Sequence, residues 1–118
     1  MAYGDPVSPI PGNTSIQLEN VTIVVDKTSD TSTNTFEIVP NKMYMFGPRT
    51  SLTITLATPS DNTIVNEYMF QFTSGNTATT LNVPNTVVWL KDPDIQTGKK
   101  YAVSIENNLG IIGEWNNE

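Results

Sequence analysis

The stretch Glu67-Tyr68-Met69-Phe70-Gln71-Phe72-Thr73 puts an aromatic ring at every second position. On a β-strand alternate side chains share a face, so Tyr68, Phe70 and Phe72 fall on one side and Met69 and Gln71 on the other. This strand reads from Ile64 to Thr73. Leu52, Ile54 and Leu56, alternating with Thr53 and Thr55, give a cleaner half-buried strand. No segment carries helical periodicity over three turns, and the abundant Thr, Val and Ile favour pleated backbone.

The remainder reads as short strands between turns. Ile16 and Leu18 alternate, then Val21, Ile23 and Val25 do so on the opposite parity, which implies a bulge or a turn at Glu19-Asn20. Asp26 to Thr35 holds no apolar residue and forms a loop. Phe36 and Ile38 make a strand that stops at Pro40-Asn41, and Met43 to Phe46 makes one that ends at Gly47-Pro48. Leu81 and Val83, then Val87 to Leu90, are short strands. Tyr101, Val103 and Ile105 precede an Asn107-Asn108 hairpin turn, and Ile111, Gly113 and Trp115 follow it. Roughly eight or nine strands at this spacing predict an all-β fold, a β-sandwich or jelly-roll-like domain over residues 16–118. No internal repeat is visible.

Residues 1–15 read as an extended Pro-rich N-terminal arm. Pro6, Pro9, Pro11 and Gly12 exclude helix and favour polyproline-like backbone. Tyr3, Val7 and Ile10 are its apolar groups and the candidates for docking on a neighbour; a disordered terminus is the alternative.

Composition narrows the chemistry. A chain of 118 residues suits one domain whose core needs no staples. With 0 Cys, disulfides and thiolate metal sites are excluded. With 0 His, the commonest general base and zinc ligand is missing, and Ser–His or Cys–His nucleophiles cannot form. There is no Gly-rich phosphate loop, no GxSxG elbow and no HExxH. The chain reads as a non-enzymatic binding or structural module without a cofactor. Its net charge of −6 repels phosphate backbones, and its 6 basic residues form no stripe longer than Lys99-Lys100, so nucleic acid is not an expected partner. The acidity suits solubility of something made in many copies. Met1 to Pro6 lack the basic and apolar regions of a secretory signal, and no apolar run reaches the about 20 residues of a membrane helix. Synthesis in the cytoplasm, with no membrane partner, is the expectation.

Several residues invite a functional reading. Ile95-Gln96-Thr97-Gly98-Lys99-Lys100-Tyr101 has the form of a tyrosine corner, in which the Tyr101 hydroxyl bonds back to nearby backbone. Tyr68, Phe70, Phe72, Trp89 and Trp115 suit a core or subunit interface better than a sugar platform. Asp92-Pro93-Asp94 is the only tight carboxylate pair, and it reads as a solvated turn because calcium would require more converging oxygens. Glu67, Glu106 and Glu114 lie on different strands, and spacing alone leaves open whether any two meet.

Asn66-Glu67-Tyr68-Met69-Phe70-Gln71-Phe72-Thr73-Ser74-Gly75 resembles a recurrent sequence in virion proteins of gut-type tailed bacteriophages and prophages. Leu81-Asn82-Val83-Pro84, Val88-Trp89, the strand from Gly98 to Ile105 and the closing segment from Asn107 to Trp115 match the same pattern. So do Pro40 to Gly47 and Ser51 to Leu56, which extends the resemblance over residues 36–115. It implies the C-terminal type of domain of longer structural proteins, in a head-fibre, capsid-decorating or tail-associated role. A chain with only an arm and a couple of strands in front favours a small auxiliary capsid (decorating) or head-fibre protein on the outer capsid surface. The implied partners are the major capsid protein or other virion proteins, and further copies of the chain in a homo-oligomer. The alternative is a carbohydrate-binding adhesion module of a tail or fibre, with a host-surface glycan as partner. Trp115, near the end of the last strand, joins Tyr3, Val7 and Ile10 as an expected contact residue.

Overall fold

A computed structural model describes residues 23–116. Period-two patterning builds nine strands there and no helix: β1 (Ile23–Asp26), β2 (Thr35–Ile38), β3 (Lys42–Pro48), β4 (Ser51–Leu56), β5 (Glu67–Ser74), β6 (Thr80–Asn82), β7 (Val88–Trp89), β8 (Lys99–Glu106) and β9 (Leu109–Asn116). The readings at Ile16, Leu18 and Val21, and the Pro-rich arm with Tyr3, Val7 and Ile10, lie outside the described residues.

The strands form two sheets, one ordered β1-β3-β5-β8-β9-β7 and the other β2-β4-β6. From β1 to β6 the chain changes sheet at every connection, so like strands stack in parallel. Each consecutive pair makes an arch, and three arches pile up. Val24 pairs with Met43 at a distance of 19 residues, and Met43 with Met69 at 26. Beyond β5 the ladder turns antiparallel. β8 pairs with β5 over its whole length, and β9 closes a hairpin on β8.

Turn chemistry marks where the chain reverses. Asn107 and Asn108 both adopt positive φ, at 52° and 63°, as a two-residue hairpin of type I′ requires. Gly47 (φ 68°) sits where the β3–β5 register shifts between Met45 and Pro48, a bulge that bends the strand toward the turn at Arg49. Asn41 (φ 68°) fastens the β2–β3 turn to β5: its amide donates to the Glu67 carbonyl at 2.7 Å and its Oδ1 accepts from the Glu67 amide at 3.0 Å.

The core lies between the sheets. Tyr44 and Phe46 on β3, Tyr68, Phe70 and Phe72 on β5, and Tyr101 on β8 all turn their rings inward, opposite Ile38, Leu52 and Ile54 of the smaller sheet. Phe46, Phe70, Phe72 and Tyr101 follow one another with centroid separations of 6.1, 6.3 and 5.3 Å. Burying a ring of this size is worth about 1.5–3 kcal/mol, so this row carries much of the fold's stability. The aromatic strand starts later than its sequence suggests. Ile64 and Val65 are 54% and 66% exposed, and β5 opens only at Glu67. The Asn66 side-chain amide donates to the carbonyls of Asp61 and Ile64, which holds these residues in a turn instead of a ladder.

Candidate functional site

The same alternation that fills the core leaves a second face on the larger sheet. Met43, Met45, Met69, Ala102 and Ile111 sit one position away from inward-facing residues and therefore point outward. Trp115 belongs to this face. It is 42% exposed and lies directly across from Lys100. A shallow hollow of about 140 Å³ opens beside it, lined by Met45, Gln71, Thr73 and Lys100. An exposed indole flanked by amide, hydroxyl and ammonium groups can stack a flat or apolar surface and hydrogen-bond at its rim.

Glu67, Glu106 and Glu114 fall in two places. Register sets Glu67 opposite Glu106 on the outer face, and Glu67 Oε2 accepts from the Ser104 hydroxyl at 2.5 Å. Glu114 does not join them. It receives Lys99 Nζ at 2.6 Å across the β8–β9 hairpin, and that carboxylate holds the Lys99 ammonium above its ordinary range. Asp92, Asp94, Lys91 and Glu114 rim a hollow of about 260 Å³. One Asp94 oxygen is taken by Gln96 Nε2 at 2.6 Å. Among the described residues, no group of three or more acidic side chains is arranged to hold a metal ion.

Tyr101 forms the corner its sequence context suggests. It is 2% exposed, its hydroxyl accepts from the Gln96 amide at 2.6 Å, and it donates to the Asp94 carbonyl at 3.4 Å. This pins the segment entering β8 and leaves no hydroxyl for a ligand. Tyr68, Phe70 and Phe72 are interior, which removes them from any platform. Trp89 lies partly buried over Gly110, where an added Cβ would stand 2.8 Å from its ring.

Sequence reading passed over Arg49. Its side chain is buried at 5% exposure, over the rings of Phe36 and Phe46 at 5.2 and 6.0 Å. Nε donates to the Phe46 carbonyl at 3.3 Å, and Nη1 to that of Thr33 at 2.5 Å. Nη2 donates to the carbonyls of Lys27 and Asp30. These bonds gather the β1–β2 loop onto the β3–β4 turn. A hollow of about 290 Å³ lined by Thr31, Asn34, Thr50 and Asn76 adjoins it, and four of the five guanidinium N–H donors go to backbone carbonyls. The only hint in the sequence is its place right after Gly47-Pro48, where a turn needs a donor.

No protein-family model matches this chain, and no curated protein or solved structure matches it.

Proposed function

We propose that the two sheets form a β-sandwich module of a tailed-phage virion protein. In this reading the chain is a non-enzymatic auxiliary capsid (decorating) or head-fibre protein on the outer capsid surface. It is made in the host cytoplasm and present in many copies. The observation that carries this reading is where the resembling segments fall. Asn66 to Gly75, Gly98 to Ile105 and Asn107 to Trp115 become β5, β8 and β9, three neighbouring strands of one sheet. The other resembling segments fall on β3 and β7 of the same sheet and on β4 and β6 of the smaller one, so the resemblance spans both sheets. Tyr3, Val7 and Ile10 are assigned to contact with the major capsid protein or another virion protein, and Trp115 to contact between copies. Labelled chain mixed with particles stripped of it should co-sediment with them, and a chain lacking residues 1–14 should stay in the supernatant. Equal binding by both would remove the arm from the account, and no binding by either would remove the particle.

One observation favours a second reading, a carbohydrate-binding adhesion module. Trp115 is the exposed aromatic of an open face that also carries Gln71, Thr73 and Lys100. Glycan titration followed by intrinsic tryptophan fluorescence tests it. A saturable change that Gln71→Ala or Lys100→Ala abolishes, with both indoles kept, supports this reading, and a flat response rejects it.

A further inference from the structure

The outer face of the larger sheet is more apolar than any one strand suggests, because pairing brings distant residues into rows. One row runs Val24, Met43, Met69, Ser104, Ile111 across five strands. The next runs Asp26, Met45, Gln71, Ala102, Gly113, with the Asp26 carboxylate at its β1 edge. Val24, Ile111, Leu109 and Trp115 stand 60%, 48%, 41% and 42% exposed, and among the described residues no element packs on this face. Five strands about 4.8 Å apart, read over six residues of about 3.3 Å rise, span on the order of 400 Å². That is the size of the largest apolar patch on an ordinary monomer, which is often functional.

The rim of the patch identifies the occupant. Glu67 and Glu106 lie at one end of the rows, and Lys100 lies at the other end beside Trp115. The face is therefore acidic at one end and basic at the other, with the Asp26 carboxylate at the β1 edge between them. We infer that this face docks on the same face of a second copy of the chain, about a two-fold axis running across the strands. That axis reverses strand direction, so each strand lies antiparallel over its own counterpart. Glu106 then comes over Lys100 of the second copy, twice per dimer. The two middle rows exchange, so that Met43 meets Met45, Met69 meets Gln71 and Val24 comes over Asp26 at the β1 edge, while in the end rows Leu109 meets Trp115. Ile111 meets Gly113, where an added Cβ would have nothing within 4 Å, so a large side chain faces a gap. A two-fold along the strands would instead bring acidic end over acidic end and basic end over basic end. The interface is isologous and closes at two copies. Sheets stacked this way sit about 10 Å apart, with side chains of both faces interleaved. This inference stands on register and charge alone and does not depend on the virion reading.

Sedimentation equilibrium of the full chain over a wide concentration range tests it. The expected result is a monomer–dimer equilibrium that Met69→Lys weakens at least about tenfold, since an ammonium would be trapped in the apolar centre. Lys100→Glu and Glu106→Lys, both at the rim where folding is insensitive, should each weaken it by about three- to tenfold. The double variant carrying both should return to within about threefold of the parent, because the swapped charges again face each other. A chain that stays monomeric at every concentration overturns the inference and leaves the face to another occupant. A dimer indifferent to Met69→Lys overturns it too, as does a double variant no tighter than the weaker single one.

Discussion

Phe36 and Phe46 join the two sheets: one ring comes from each, with centroids 4.7 Å apart and planes tilted by 41°. Arg49 lies over both rings and hydrogen-bonds the loop between β1 and β2. The buried cation has its charge spread over two π faces and four backbone carbonyls. Arg49→Lys keeps the charge but cannot reach them all, so several buried carbonyls lose their donor. It should cost about 2–4 kcal/mol in denaturant-induced unfolding, and a loss under about 0.5 kcal/mol would show that the clamp is dispensable.

Tyr101→Phe removes the acceptor for the Gln96 amide and the donor to the Asp94 carbonyl while keeping the buried ring. A stability loss of about 1–2 kcal/mol is expected by urea titration, with the slope of the transition unchanged.

Two glycines on β9 should respond in opposite ways. Gly110→Ala pushes a methyl to within 2.8 Å of the Trp89 ring and 3.0 Å of Val87, for an expected loss of about 1–3 kcal/mol. Gly113→Ala enters open space and should leave the dilute protein within about 0.5 kcal/mol of the parent. Differential scanning calorimetry of both variants, each below its association range, separates the cases.

Asn108 holds φ at 63° in the second position of the β8–β9 turn, where glycine is preferred. Asn108→Gly should raise stability by a few tenths of a kcal/mol, roughly the cost of left-handed backbone for Asn over Gly. A clear loss would mean that the Asn side chain makes a bond the turn needs.

Acid should loosen the loops before the sheets. Asp26, Asp30 and Asp61 accept hydrogen bonds from Thr28, Thr33 and Thr63, which hold each carboxyl below its ordinary range. A depressed folded-state pKa contributes stability that is full above the unfolded value of about 3.9 and is lost as pH falls through the folded value. Melting temperature should therefore hold from pH 7 to about 5 and drop below about 4. Replacing all three with Asn should flatten that drop, and an unchanged drop would place the acid sensitivity elsewhere.

Local order was legible in the chain and long-range order was not. Alternation at Leu52–Leu56 and Tyr68–Phe72 marked strands and their buried faces, because a two-residue period is written in neighbouring positions. The Asn107-Asn108 turn and the Tyr101 corner were equally local. Parallel stacking of β1, β3 and β5 left no such trace. Its spacings of 19 and 26 residues are unequal, so no repeat shows. For the same reason Met43, Met45 and Met69 look like isolated outward residues until register sets them side by side. Arg49 was missed because a single basic residue in a turn ordinarily projects into water. Of the expected contact residues, Trp115 is found on the open outer face, and Tyr3, Val7 and Ile10 belong to the segment before the described residues.

Quantitative mass spectrometry of gradient-purified particles, from an infected or induced culture of the source, tests the virion reading most directly. The account predicts this chain in the particle fraction at a fixed, high ratio to the coat subunit. Complete absence from the particles, with the chain abundant in the same lysate, would contradict it.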